Sequence, residues 1–375
     1  MWHTFRVRHL FPALKRFAYL NAAASSPLAT PVADAAVAVL REAEAQADVG
    51  FPRWLEQKEA LRGRLARLLS SRTSEVAITT STSTGFAAVA ELFWRRGVRT
   101  VLTLESEFPS TTVPLLARGL QLKVVRPRPD GTYRVEDFDG GDAVALSAVQ
   151  FGSGFVIDLP AVKAYCRGRR LPLAVNVAQT LGQVPFDVDG VDFACGTSHK
   201  WLMAGYGLGV LYVRDGWLKE HGLPWASWFA PPEALRWQTF PGSTWQGDTA
   251  RGAELRTDAL ALEAGAQWPQ FYAFEEALKL IEGVGVPAIH AHNLKLQAVL
   301  RAGLEQRGFQ PTAPAMSGIC VVRVAGRPDD AVRALLRENV VLTARAGGLR
   351  FSTHIYNDTT DVQRALEAID RVKVA

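Results

Sequence analysis

Between residues 75 and 213, short apolar runs alternate with stretches of helical period. The runs are EVAITT (75–80), TVLTLES (100–106), LKVVRP (122–127), AVALSAV (143–149), PLAVNV (172–177), DFACGT (192–197) and GVLYVR (209–214). Most are rich in Val, Leu and Ile with little polar alternation, the pattern of strands covered on both faces. Helical patterns lie between several of them, at GFAAVAELFWRR (85–96), STTVPLLARG (110–119) and LPAVKAYCRGR (159–169). Such alternation predicts an α/β protein with a doubly wound, mostly parallel sheet. Ligands of these sheets gather at the carboxyl ends of the strands.

The pattern changes at residues 216–256, which are rich in Trp and Pro: Trp217, Trp225, Trp228, Trp237, Trp245, Pro224, Pro231, Pro232 and Pro241. The segment is too apolar for a free linker. It could cover a pocket, form a subunit interface or simply pack. A long helical stretch is predicted over roughly 258–305. GICVVRV (318–324), DDAVRALLREN (329–339), VVLTARA (340–346), LRFST (349–353) and a last helix near 360–372 read as a compact α+β unit. The expected division is an N-terminal arm (1–20), a large domain (21–256), and a long helix with a small C-terminal domain (257–375).

Composition narrows the function classes. The chain has 375 residues and a net charge of +5, spread without a Lys/Arg block. That is solvated surface rather than a nucleic-acid footprint. Cys166, Cys195 and Cys320 are far apart and form no CxxC pattern, so neither a disulfide framework nor a zinc site is expected, and a reducing cytoplasm fits. His290 and His292 are two apart on a helical stretch and do not share a face, which makes them poor metal ligands. No apolar run approaches the roughly 18 residues of a membrane span. The first 20 residues carry basic groups throughout and lack the apolar core of a secretory signal. They read as an arm packed on the body or on a second subunit.

Several strand ends carry polar chemistry. Lys200 follows DFACGT by a few residues; a desolvated amine there would lose its proton more easily and become a nucleophile. It could equally be a solvated surface charge. TTSTSTGFAAVAE (79–91) ends a strand and opens a helix, offering hydroxyls and free N–H groups to a phosphate, or only capping the helix. Phe108, in ESEFPSTTVP (105–114), could stack on a flat ligand or belong to the core. Asn176 and Gln179, in NVAQTLG (176–182), could meet a heteroaromatic ring or cap a turn.

Taken together these parts resemble the class V aminotransferase family of fold-type I pyridoxal-phosphate enzymes. That family includes cysteine desulfurases, isopenicillin N epimerase-like proteins, kynureninase and hercynylcysteine sulfoxide lyase-like proteins. The resemblance runs from YLNAAASSPL (19–28) to GLRFSTHIYNDTTDV (348–362), and its most specific piece is DFACGTSHKWLMAGYGLGVLYVR. It implies a large domain with a seven-stranded, mostly parallel sheet, pyridoxal 5'-phosphate as cofactor, an amino acid or amine substrate, and a homodimer with sites at the subunit interface. By the resemblance, Lys200 forms the internal aldimine and moves protons. Thr82, Ser83, Thr197 and His199 bind phosphate, and Phe108 stacks on the pyridine ring. Gln179 and Gln150 face its phenolic oxygen, and Arg350 holds the substrate α-carboxylate.

Three departures qualify what the resemblance implies. Asn176 stands where the family usually has Asp, the anion that keeps the ring nitrogen protonated. A weaker electron sink is expected, which disfavours transamination relative to epimerisation or β-elimination. In ALEAGAQW (261–268), Gly265 and Ala266 match a phosphate-binding segment from the neighbouring subunit, but Ala266 replaces the usual Thr. TARAGGLRFS (343–352) lacks the desulfurases' catalytic cysteine. The rival expectation is a family descendant with weak or no catalysis that serves binding or assembly.

Overall fold

The computed structural model describes residues 7–231, 255–263 and 265–373. Its elements, in chain order, are β1 (Ala18–Tyr19), α1 (Thr30–Gln46), α2 (Phe51–Leu69), β2 (Val76–Thr79), α3 (Thr82–Arg96), β3 (Thr100–Leu104), α4 (Pro109–Ala117) and β4 (Gln121–Val125). There follow β5 (Ala143–Ser147), α5 (Leu159–Arg169), β6 (Leu173–Asn176), β7 (Phe193–Thr197), β8 (Gly209–Val213) and α6 (Trp217–His221). The remainder holds α7 (Trp268–Val284), α8 (Val286–Glu305), β9 (Ile319–Arg323), α9 (Pro328–Arg337), β10 (Val340–Val341), β11 (Thr343–Arg345), β12 (Gly348–Ser352) and α10 (Thr359–Val372).

The seven apolar runs become β2 to β8, and all seven join one sheet in the order β2-β8-β7-β6-β5-β3-β4. Strands β3 to β7 pair in parallel, and β8 runs antiparallel to both β7 and β2. Strands β5, β6, β7 and β8 are buried along their whole length, as expected of strands covered on both faces. The expectation fails for β4, a largely exposed edge strand. There Lys123 pairs with Asp139, a charge that discourages further strand pairing.

The other edge, β2, is fully buried, and side chains satisfy its free backbone groups. Arg62 of α2 donates to the carbonyl of Val76 at 2.9 Å, and the N–H of Ile78 donates to Glu263 at 3.1 Å. Arg62 and Lys58 both pair with Glu263, and none of the three is exposed to solvent. Lys58 Nζ also lies 3.3 Å from the centre of the Phe229 ring. This buried ion cluster closes the sheet edge in place of an eighth strand.

Ahead of residue 75, where no element is read from the sequence, α1 and α2 pack against α7. The long helical stretch over 258–305 is instead a single-turn 3₁₀ segment (Ala259–Leu262) followed by α7 and α8. The break falls at Gly285, whose φ of +84° a β-carbon would disfavour, and Pro287 suits the first turn of α8. VVLTARA also divides. β10 pairs in parallel with β1, whereas β11 joins the antiparallel sheet β11-β12-β9. Residues 7–20 pack on the body, with Phe11 buried against Tyr356 and Arg8 donating to Asp361 at 3.0 Å. Most of the Trp- and Pro-rich segment, residues 232–254, lies outside the described residues, as do the first six residues of the arm. Among the described residues no helix is long and apolar enough to cross a membrane.

The ion cluster yields a stability prediction. Glu263→Gln leaves two buried cations facing a neutral amide, which costs about 3 kcal/mol or more by the behaviour of broken buried pairs. The urea midpoint is expected to fall accordingly; an unchanged midpoint would show that the cluster does not hold the edge.

Candidate active site

Strand β7 ends at Thr197, and the chain turns through residues 198–208 into β8. Ser198 Oγ ties the turn together, donating to the carbonyls of Gly205 at 2.7 Å and Leu208 at 2.9 Å. Three distant parts of the chain then fix the lysine's neighbours. The His199 carbonyl accepts from the Ser26 N–H at 2.9 Å, and the Trp201 carbonyl accepts from His354 Nε2 at 2.8 Å. The wholly buried Trp201 indole donates to Gln179 Oε1 at 2.7 Å. At Gly182, with φ of +91°, a β-carbon would sit 2.6 Å from the Trp201 carbonyl oxygen, so this approach requires glycine.

Lys200 is thereby held on the wall of a cavity of about 320 Å³, with 9% of its surface exposed. Burial, and then the charges of Arg350 and Arg345, lower its pKa to about 7. Among the described residues its amine makes no ion pair. It lies 5.1 Å from the centre of the Phe108 ring. A lysine in this state is a usable nucleophile and proton carrier at neutral pH.

The sequence-predicted residues separate into two groups. Thr82 and Ser83, in the first turn of α3, line the cavity beside its N-cap Ser81, whose hydroxyl accepts from the Thr84 N–H at 3.1 Å. Thr197 and His199 line it too, joined by a 2.8 Å hydrogen bond at His199 Nδ1. His199 stacks on Tyr206 at 4.2 Å, and burial, then the Lys200 charge, lower its pKa to about 4. It is a neutral imidazole at pH 7. Phe108, Gln179 and Arg350 complete this first group.

Gln150, Asn176, Gly265 and Ala266 are not on the cavity wall. Gly265 and Ala266 are exposed, in the segment ahead of α7. Gln150 and Asn176 lie behind the wall around Glu107, a buried carboxyl that the sequence reading passed over. Glu107 accepts from the Ser147 N–H at 2.7 Å, Gln150 Nε2 at 2.8 Å and the Ser147 hydroxyl. The Thr111 hydroxyl makes a longer contact of 3.4 Å. Burial pushes the Glu107 carboxyl up, against these hydrogen bonds, which favour its anion. Thr111 accepts in turn from Asn176 Nδ2 at 2.8 Å, and Asn176 Oδ1 accepts from the Ala178 N–H at 2.9 Å. The amide of Asn176 is therefore oriented from both ends.

Other wall residues were also missed. Phe151, one position past Gln150, faces the cavity and meets Phe108 edge-on at 5.2 Å. The chain turns here, with the Gly154 N–H donating to the Gln150 carbonyl at 2.8 Å, and the turn separates the two neighbours. Ser110, Tyr206 and Arg345 line the cavity as well. The signal for Arg345 was present: a second arginine beside the Gly-Gly turn of TARAGGLRFS.

On the far side of the chemistry, all three cysteines are buried and none lines the cavity. Burial raises the thiol pKa of Cys195, and those of Cys166 and Cys320 to about 12 and 11. His290 and His292 each meet a backbone carbonyl, of Met316 at 3.1 Å and of Asn357 at 3.0 Å.

Residues 18–365 match the family model described as aminotransferase class-V. The chain is 27% identical over 373 residues to the "uncharacterized aminotransferase YcbU" of Bacillus subtilis, covering 96% of each. It is 29% identical over 245 residues to a cysteine desulfurase of Salmonella newport, covering 59% of this chain and 60% of that one. Among solved structures, a cysteine desulfurase from Thermococcus onnurineus superposes with a TM-score of 0.85 at 19% identity, covering 99% and 98% of the two chains. The desulfurase CsdA of Escherichia coli gives 0.84 at 19% identity over 100% of both.

The buried amine makes a prediction about stability and pH. Between pH 7 and 10.5 the unfolded chain keeps a proton on Lys200 that the folded chain has lost, so this group makes stability rise with pH across that window. Lys200→Met removes the cost. The cofactor-free variant is expected to exceed the parent in stability below about pH 7, by a few kcal/mol, with the gap closing toward alkaline pH. Equal denaturation midpoints at both ends would contradict the buried amine.

Proposed function

Because this chain belongs to the class V aminotransferase family, we propose that the cavity is the active site of a pyridoxal 5'-phosphate enzyme acting on the Cα of an amino acid or amine, with Lys200 carrying the cofactor. The observation that carries the reading is the Lys200 amine, buried, near neutral in pKa and on the wall shared with a hydroxyl cradle and a buried arginine.

The residues present fit the group. Hydroxyls of Thr82, Ser83 and Thr197, the first-turn N–H groups of α3 and the His199 ring suit a phosphate. Phe108 offers a ring face. Arg350 is 1% exposed, donates through Nη1 to the Phe151 carbonyl at 3.0 Å and leaves its Nε without a partner. Such a fork receives a carboxylate. When bound, the cofactor supplies the electron sink for bond breaking at Cα.

The chain's own residues do the rest. Lys200 Nζ takes and returns the Cα proton, which a pKa near 7 suits. Arg350 orients the α-carboxylate. Gln179 holds a fixed place on the wall, its amide donating to the Ala23 carbonyl at 2.9 Å while accepting from Trp201. Asn176, behind the wall with its amide held by Thr111 and Ala178, brings no negative charge to this side of the site, which supports epimerisation or β-elimination alongside transamination. With no cysteine on the wall, cysteine-persulfide chemistry of the desulfurase type is disfavoured. The exposed Gly265 and Ala266 suit a contribution to a partner's site, which supports a homodimer, and the three free, buried cysteines suit a reducing cytoplasm. No specific observation supports a purely binding or assembly role, and the desolvated Lys200 and the waiting Arg350 oppose it.

Two measurements test this. Addition of pyridoxal 5'-phosphate is expected to give a visible absorption band that Lys200→Ala abolishes; absence of the band in the parent at excess cofactor sinks the reading. Nitrogen NMR of the loaded protein is expected to show an unprotonated ring nitrogen. A pyridinium signal would show that Asn176 does not set the ring's proton state.

A further inference from the structure

The hairpin of β11 and β12 carries two arginines on one face. Thr343 pairs with Arg350 and Arg345 pairs with Gly348, so side chains at 343, 345, 348 and 350 point the same way. Gly348 has no side chain, and the place across from Arg345 is left open. Both arginines reach the cavity wall. Among the described residues neither is ion-paired, and no carboxylate lines the cavity. Arg345 makes a single 2.8 Å hydrogen bond, to the carbonyl of its neighbour Ala344. Arg345 is exposed to solvent on its outer side, but it lines the mouth of the cavity rather than the open surface. Here the charge of Arg345 reaches both Lys200 and Arg350 and disfavours their charged forms.

Of the two arginines on the wall, only Arg350 has a partner assigned to it above. The cofactor's phosphate is met by the α3 cradle, Thr197 and His199, and the substrate's α-carboxylate by Arg350. Nothing among the described residues answers Arg345. We propose that Arg345 selects the substrate class, an α-amino acid with an acidic side chain, whose α-carboxylate sits on Arg350 and whose second anionic group meets Arg345. The inference rests on the cofactor site proposed above. It adds that the site discriminates by charge at the side-chain end. Specificity of this kind comes from pairing an otherwise unanswered charge.

The test uses the loaded protein and the shift of its visible band on titration with L-aspartate, L-glutamate, L-asparagine and L-glutamine. Succinate and butyrate serve as ligands that cannot react. At least one acid is expected to bind about tenfold or more tighter than its amide, the size of one added charge-assisted hydrogen bond. Succinate is expected to outcompete butyrate. Arg345→Gln should bring both ratios to about one while Arg345→Lys keeps most of the preference. Arg350→Gln should weaken acids and amides alike. A band with equal affinity for acid and amide, or a preference that survives Arg345→Gln, overturns the inference alone. No band in the parent overturns it together with the cofactor reading.

Discussion

The indole of Trp201 is the peg on which the lysine loop hangs. It is wholly buried, hydrogen-bonded to Gln179, and edge-on to the His354 ring at 5.2 Å, while its own carbonyl accepts from His354. Side chains and backbone from near residues 179, 182 and 354 thus converge one position after Lys200. A lysine amine is desolvated only if its backbone cannot swing outward, because the side chain is long and its charged form seeks water. Fixing Trp201 supplies that restraint. The connection from β7 to β8 runs through residues 198–208, and its hydrogen bonds at Ser198, His199 and Trp201 take up the slack that a loop of that length would otherwise have.

Behind the opposite wall, a second network does for Gln150 and Asn176 what Trp201 does for the lysine. Glu107 gathers donors from Ser147, Gln150 and Thr111, and through Thr111 it reaches Asn176. Residue 176 is a neutral amide, but a carboxyl remains two hydrogen bonds away. Its desolvation is opposed, though not cancelled, by hydrogen bonds from neutral donors rather than by an ion pair. The wall residue Phe108 follows Glu107 in sequence, so the carboxyl that organises the network also anchors the segment bearing the aromatic face.

Much of this was legible in the sequence, and the failures have physical reasons. The seven strands were readable because apolar β-branched runs with little alternation have few other solutions. Lys200 and the Thr82–Ser83 cradle stood at strand and helix ends where their chemistry is exposed by position, whereas Arg350, in the middle of β12, was legible only through the family resemblance. Glu107 was invisible because a carboxylate in a loop reads as solvated until the fold wraps donors around it. Gln150 and Phe151 show the limit at single-residue resolution: a one-position difference decides between wall and interior. The edge cluster of Lys58, Arg62 and Glu263 joins positions far apart in sequence, and periodicity carries no information about it. Gly285 was in view, but a glycine within an otherwise helical pattern does not announce whether it will break the helix.

Residues 18–26 belong to neither of the larger sheets, yet they touch both. Leu20 donates to Val341 and accepts from Ser352, Ala23 accepts from Gln179 and donates to Ser352, and Ser26 grips His199. Asn357 holds the Tyr19 carbonyl, and Thr343 reaches Asn21 at 2.6 Å. This stretch works as a gauge bar between the strand that bears Arg350 and the loop that bears Lys200. The spacing between the Arg350 guanidinium and the Lys200 amine is set by the length of a third piece of chain. One residue more or fewer between 20 and 26 would put that spacing out of true without altering a single residue of the cavity's lysine or arginine.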